Sequence, residues 1–221
     1  MVPFKALLVE GTSGVGKSTL IDALIRRQVD SSKPRKIRTL VHLAQSHTYG
    51  PLATPEDKGT LTVEENLHHL ERIVGTVEWL HASVQEHTRP WCFVLVDTLH
   101  LTHCVRPGVV KWNDVSPFDR RLSAVGCKLL FLRGTAATIW DRGIKLRTDQ
   151  QFIQEYARKF GRTHEEIHSH FVREQEKLVE LFSCSVMTKR LVQNDGTLAN
   201  TLEEAVRLWT EDLGEEEIGR L

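Results

Sequence analysis

With 221 residues, and 29 Lys plus Arg set against 29 Asp plus Glu, the chain is long enough for one sizeable core and carries no formal net charge. That balance gives no electrostatic case for nucleic acid or an anionic membrane as partner. No charged leader with a cleavage site opens the chain and no apolar run nears about 18 residues, so neither signal peptide nor membrane span is expected; Cys92, Cys104, Cys127 and Cys184, scattered without a C-x-x-C pair, fit a reducing, cytoplasmic location.

Phe4 to Val9 predicts a buried strand. Glu10 follows, and then Gly11-Thr12-Ser13-Gly14-Val15-Gly16-Lys17-Ser18-Thr19 matches the P-loop spacing G-x-x-x-x-G-K-[ST]. A helix is expected from Lys17 to about Arg27. Strand, glycine loop and helix N-terminus in that order make a cradle for phosphate. The glycines let successive N–H groups face one anion, and the helix dipole adds positive potential. The motif predicts that residues 11–19 bind ATP, with Lys17 at the β- and γ-phosphates and the Ser18 hydroxyl on Mg²⁺.

Asp30 to Pro34 reads as a turn and Ile37 to Leu43 as a second strand, ending near Gln45. Ser46 to Thr60 contains Gly50, Pro51, Pro55 and Gly59, and is expected to be an irregular loop, functional or mobile. Thr62-Val63-Glu64-Glu65 forms a capping box, opening a helix to about Glu86. Trp91 to Val96, apolar on both faces, predicts a central parallel strand ending at Asp97. A loop over Thr98 to Val115 and a short helix with Pro117 at its first position come next.

Lys128 to Leu132 predicts a fourth strand, and Thr135 to about Leu146 a helix ending in the basic cluster Arg142, Lys145, Arg147. Capping boxes at Thr163–Glu166 and Thr201–Glu204 are expected to begin later helices, with a fifth strand over Val186 to Val192 between them. Strands alternating with helices imply a parallel sheet covered on both faces, its ligand beyond the carboxyl ends of the strands. The acidic Glu215 to Glu217 reads as a solvated tail.

The chain lacks the N-K-x-D of guanine readers, a second acid after Asp97 and any L-S-G-G-Q-like segment. Val9 to Leu20 resembles the opening of the thymidylate kinases and deoxynucleoside kinases, in which an acid also precedes the first glycine. Val94-Leu95-Val96-Asp97 is similar to that family's strand ending in Asp-Arg or Glu-Arg. Leu129 to Leu132, with Ile139-Trp140-Asp141-Arg142, resembles the strand and helix leading to a basic lid. Val192 to Thr197 resembles the loop near the adenine. The resemblance covers most of the chain and departs at Thr98, where the family has an Arg that holds the acceptor. It implies an α/β, three-layer P-loop NTPase fold over residues 1–221, with a five-stranded parallel sheet and a helical basic lid at about 142–162. It also implies a kinase that passes the γ-phosphoryl group of MgATP to a small-molecule acceptor. A nucleotide-binding switch with little transfer is the alternative, and monomer and homodimer both stay open.

Several roles follow as expectations. Asp97 is a candidate Mg²⁺ ligand or catalytic base, with a plain strand-end cap as the alternative. Glu10 is a candidate for Mg²⁺ or the acceptor, or a brace for the loop. Arg142 and Arg147 are candidates to stabilise the transferred charge, or simply a solvated helix end. Asn194 and Asp195 are placed beside the base. His164, His168 and His170 lack a completing ligand set for a metal. The acceptor is expected among Gln45, Tyr49, Arg72, His100 and Arg106, with His47 and His103 nearby, because in-line transfer places it beyond the γ-phosphate.

Overall fold

The computed structural model describes residues 4–29, 38–85, 91–146, 150–161 and 163–211. Strands β1 (Phe4–Glu10), β2 (Arg38–Leu43), β3 (Trp91–Asp97), β4 (Cys127–Arg133) and β5 (Lys189–Gln193) form one parallel sheet in the order β2-β3-β1-β4-β5. The three inner strands are apolar because both faces are covered, and their alternation divides the core. Ala6, Leu8, Cys92, Val94, Val96, Leu129 and Phe131 face one layer. Leu7, Val9, Phe93, Leu95, Leu130 and Leu132 face the other.

Helices α1 (Lys17–Val29) and α10 (Leu198–Thr210) cover the second face through Leu20, Ile21, Leu24, Leu208 and Trp209. The first face is covered by α4 (Val63–Gln85) and α6 (Trp112–Ala124), through Leu70, Val74, Val77, Val115 and Leu122. Helix α9 (His164–Cys184) serves both layers, Ile167 and Phe171 entering one and Leu178 the other. No described helix is long and apolar enough to cross a membrane.

Several boundaries differ from the expectations. The punctuated stretch after β2 is mostly helical: α2 (Gln45–Thr48) and α3 (Gly50–Asp57), with Pro51 in the first turn of α3, where a missing N–H does no harm. The stretch after Asp97 contains α5 (His100–Val105). Helix α6 begins at Trp112 rather than with Pro117 at its first position, so Pro117 lies inside it; the Asp114 carboxylate accepts from Lys111 N at 2.7 Å and closes the first turn. Thr197, not Thr201, caps α10, with its hydroxyl accepting from Asn200 N at 3.4 Å. The caps at Thr62 and Thr163 form as expected, with reciprocal bonds to Glu65 and Glu166. The fifth strand begins at Lys189, and α7 (Ala136–Trp140) continues into a π-turn, Asp141–Lys145. Helix α8 (Gln150–Phe160) follows. The turn at 30–34, Ile37, Glu86, Arg147 and the acidic tail lie outside the described residues.

Candidate functional site

Strand β1 delivers the loop at the centre of the sheet, and Lys17 opens α1 directly after it. Gly14 has φ +83°, and a Cβ there would lie 2.6 Å from Gly143 Cα. Gly16 has φ +91°, and a Cβ there would lie 2.7 Å from Asn194 Nδ2. Any side chain at either position would close the cradle and strain the backbone. Val15 is buried in the core, leaving only its main chain for the loop. Lys17 Nζ donates to Gly11 O at 2.7 Å and Thr12 O at 3.0 Å. Burial lowers its pKa, as does neighbouring Arg106, against the raising influence of Asp97, Glu174 and Glu10. A cavity of about 620 Å³ is lined by Ser13, Gly14, Gly16, Lys17, Ser18 and Thr19, with Gln45, Arg142, Leu146 and Tyr156.

Asp97 ends β3 next to the loop, in register with Val9 of β1. Its Oδ1 accepts from Thr98 Oγ1 at 2.9 Å, and its main-chain oxygen accepts from Thr48 Oγ1 at 2.7 Å. Thr48 O in turn lies 2.9 Å from both His69 Nε2 and His103 Nε2. His103 Nδ1 is 2.7 Å from Asn66 Oδ1, while Asn66 Nδ2 is buried without a partner. Burial pushes the His103 pKa down to about 3, so the ring is neutral and its two nitrogens cannot both donate. Turning the Asn66 amide by 180° resolves this, because Nδ2 then donates to His103 Nδ1 and Nε2–H donates to Thr48 O. Two neutral histidines thereby hold α2 and the end of β3 in register.

On the other side of the loop, α9 brings in Glu174. Its Oε1 accepts from Thr12 Oγ1 at 3.0 Å and from Arg106 Nε and Nη2 at 3.4 and 3.3 Å. Arg106 Nη2 also donates to Ser13 Oγ at 3.2 Å, and its guanidinium carbon lies 5.7 Å from the Tyr49 ring centre. Burial alone would raise the Glu174 pKa, but Arg106, His170 and Lys17 hold it down at about 2. For Arg106, burial disfavours the charge and Glu174 more than offsets it, so its pKa is raised. The Tyr49 hydroxyl bonds to Glu56 Oε2.

The remaining expected residues divide. Arg142 Nη1 donates to Asn194 O at 3.0 Å and lines the loop cavity; Asn194 Nδ2 donates to Val15 O at 2.6 Å. Asp195 accepts from Thr135 N and Thr138 Oγ1 at 3.0 and 2.5 Å, and so ties the start of α7. Glu10 accepts from Leu99 N, Thr102 N and Thr102 Oγ1 at 2.8, 3.5 and 2.7 Å, bracing the start of α5. His100 is buried and its Nε2 lies 2.9 Å from Asp119 Oδ1, away from the cavity lining. Arg72 lines a different groove, with His47, His69 and Trp79. His168 Nε2 sits 2.7 Å from Ala136 O and His170 faces Glu174 at 3.5 Å; among the described residues no group of three or more metal-type ligands forms.

Thr48, Asn66 and Glu174 did not stand out in the sequence. For Glu174 a signal exists: Ile167, Phe171 and Leu178 form a buried stripe on α9, and an acid at 174 falls on it.

No family model and no curated protein matches the sequence. Among solved structures, the YorR protein of Bacillus subtilis, in complex with phosphorylated GDP, is similar over 96% of this chain and 99% of its own, at 12% identity and TM-score 0.58. Deoxyadenosine kinase from M. mycoides, with bound dATP, matches over 92% of this chain and 97% of its own, at 13% identity and TM-score 0.48. The YorR likeness shows the fold, a three-layer α/β P-loop arrangement.

Proposed function

We propose that the chain is a small-molecule kinase, similar to thymidylate and deoxynucleoside kinases, that transfers the γ-phosphoryl group of MgATP to a nucleoside, a nucleotide or a related hydroxyl- or phosphate-bearing metabolite. The observation that carries this reading is the convergence of two groups at the carboxyl ends of paired strands: the phosphate loop with Lys17 after β1, and the acid Asp97 at the end of β3. The fold places ligands at that crevice. The YorR protein, of the same fold, was solved with a phosphorylated guanine nucleotide, which adds support for a nucleotide here.

Lys17 lies at one end of the loop, against Gly11 and Thr12, where a phosphate oxygen would replace the two carbonyls as its partner. The Ser18 hydroxyl and the Asp97 carboxylate are oxygen donors of the kind Mg²⁺ takes, and the ion neutralises charge on the bridging phosphates. With one Asp97 oxygen engaged by Thr98, the other is left for the ion or for the proton of an acceptor hydroxyl. Arg142, beside Gly16, is in place to meet charge that develops on the transferred group. In this reading Gln45, in the cavity lining, and Tyr49 with Arg106, beside Ser13, would serve the acceptor, and Asn194, bonded to Val15 O, the base.

A screen of nucleosides, nucleoside monophosphates and polar metabolites for acceptor-stimulated ADP release tests the reading. The expected result is an acceptor that raises ADP release and appears phosphorylated. ATP binding with no acceptor dependence would leave a nucleotide-binding switch as the better account.

A further inference from the structure

We propose that Glu174 is a positioning residue for phosphoryl transfer: from helix α9 it holds Arg106 across Ser13 at the Lys17 end of the phosphate loop. The inference rests on the kinase reading above. Three contacts carry it. One oxygen of Glu174 accepts from Thr12 and from both Nε and Nη2 of Arg106, at 3.0 to 3.4 Å. Arg106 Nη2 reaches Ser13 Oγ at 3.2 Å. Lys17 Nζ lies on Gly11 O and Thr12 O, so both cations belong to the same end of the loop.

Two buried cations side by side repel unless an anion stands with them, and at 1% side-chain exposure Glu174 is a strong one. Asp97 also acts on Lys17, but no hydrogen bond joins it to Arg106. The guanidinium is further fixed by the Tyr49 ring. A cation held in place before transfer begins stabilises the spreading phosphate charge better than one that must be ordered during it. A buried ion pair serving stability alone is often replaceable by apolar groups at little loss. Here each partner makes a further bond to one of two consecutive loop residues, which a purely structural pair does not need.

The test is a double-mutant cycle on the full chain with Glu174→Gln, Arg106→Gln and both together. MgATP affinity is measured by calorimetry, and ADP release with water or the acceptor found in the screen. Each single change is expected to lower the ADP-release rate by about 10- to 100-fold, within the range for a displaced transition-state contact. MgATP affinity is expected to stay within about threefold, and the double variant to be no slower than Arg106→Gln alone. Losses that multiply would show that Glu174 does not act through Arg106 and would overturn the inference. A rate loss matched by an equal loss of MgATP affinity would also overturn it. If Glu174→Gln does not fold, Glu174→Asp keeps the charge but withdraws it by about 1.5 Å, one carbon–carbon bond. Its rate should then fall, and a wild-type rate overturns the proposal. A wild-type chain that binds MgATP but releases no ADP overturns the kinase reading and this inference with it, whereas turnover with independent losses overturns the inference alone.

Discussion

Thr98 donates its hydroxyl to the carboxylate of Asp97 at 2.9 Å from a left-handed backbone conformation, φ +64°, unusual for a β-branched residue. Among the described residues it is the one non-glycine with positive φ. The strain is held by the Thr98 N bond to Val9 O at 3.0 Å, and it aims the side chain back at the candidate catalytic acid. Thr98→Ala and Thr98→Gly both remove the hydroxyl and differ only in keeping or losing Cβ. The glycine variant should be the more stable by about 1 kcal/mol in urea denaturation. Both should release ADP more slowly than wild type, and equal stability of the two variants would refute the strain.

Lys17→Ala should abolish MgATP binding. Asp97→Asn should slow ADP release by at least about tenfold and leave MgATP affinity nearly unchanged. Calorimetry with initial-rate assays separates the two effects, and an Asp97→Asn protein with wild-type turnover would favour the switch reading.

Glu10 is buried with its oxygens on Leu99 N, Thr102 N and Thr102 Oγ1. Glu10→Ala removes the acceptor these buried donors share, so unfolding stability should drop by about 2–4 kcal/mol. A nearly unchanged urea midpoint with lost turnover would instead place Glu10 in the chemistry.

The neutral His103 makes stability depend on pH. Its folded pKa, about 3, lies below the usual histidine value, so the unfolded chain takes up the proton first as pH falls. Stability contributed by the neutral ring is complete above about pH 6.5 and declines below it, by roughly 2 kcal/mol between pH 6.5 and 5. His69, also pushed down by burial, adds in the same direction. Glu174, held at about 2, loses its contribution only as pH falls through about 4.5 and below, so it does not enter that window. Thermal unfolding at pH 7 and pH 5 should show a smaller difference in His103→Gln than in wild type.

Asp57 of α3 pairs with Arg158 at 3.3 Å and with Lys159, joining the segment after β2 to α8 beside the loop cavity. Such partly exposed pairs contribute about 0–1 kcal/mol, so Asp57→Asn should speed MgATP release by no more than about fivefold. Stopped-flow release at low and high salt checks this: wild type at high salt should approach the variant.

The parallel sheet and the phosphate loop were legible because local pattern and fold agree: inner strands apolar on both faces, and glycines where the chain must turn tightly. The start of α5 was hidden because its brace, Glu10, comes from the neighbouring strand β1, 89 residues earlier, and no local residue announces it. Pro117 suggested a helix start five residues late, since Lys111 is an unusual cap and the effective signal was Asp114. Thr201-x-x-Glu204 has the lettering of a cap, yet the Thr201 hydroxyl donates to Asn194 Oδ1 at 2.6 Å, one turn inside the helix. Within the candidate site, the loop, Asp97, Gln45, Arg106, Arg142 and Asn194 were readable, while Thr48, Asn66 and Glu174 were not. Arg72 and His100 are near Asp97 along the chain or by topology, but Arg72 lines a separate groove and His100 is buried against Asp119.

The close approach of Gly14 to Gly143 has a consequence for how such a chain can vary. A methyl group at 14 would meet Gly143 Cα at 2.6 Å, and one at 143 would meet Gly14 Cα at 3.4 Å. The first cannot be accommodated without moving backbone, while the second needs only a small adjustment. The π-turn widens the helix at just this point, with Leu146 N bonded to Asp141 O at 3.0 Å. The turn at 141–145 is therefore set against the loop by close main-chain contact at Gly143 as well as by the Arg142–Asn194 bond. An insertion or deletion between Trp140 and Gly143 would shift that register and displace Arg142 from the cavity lining beside the loop.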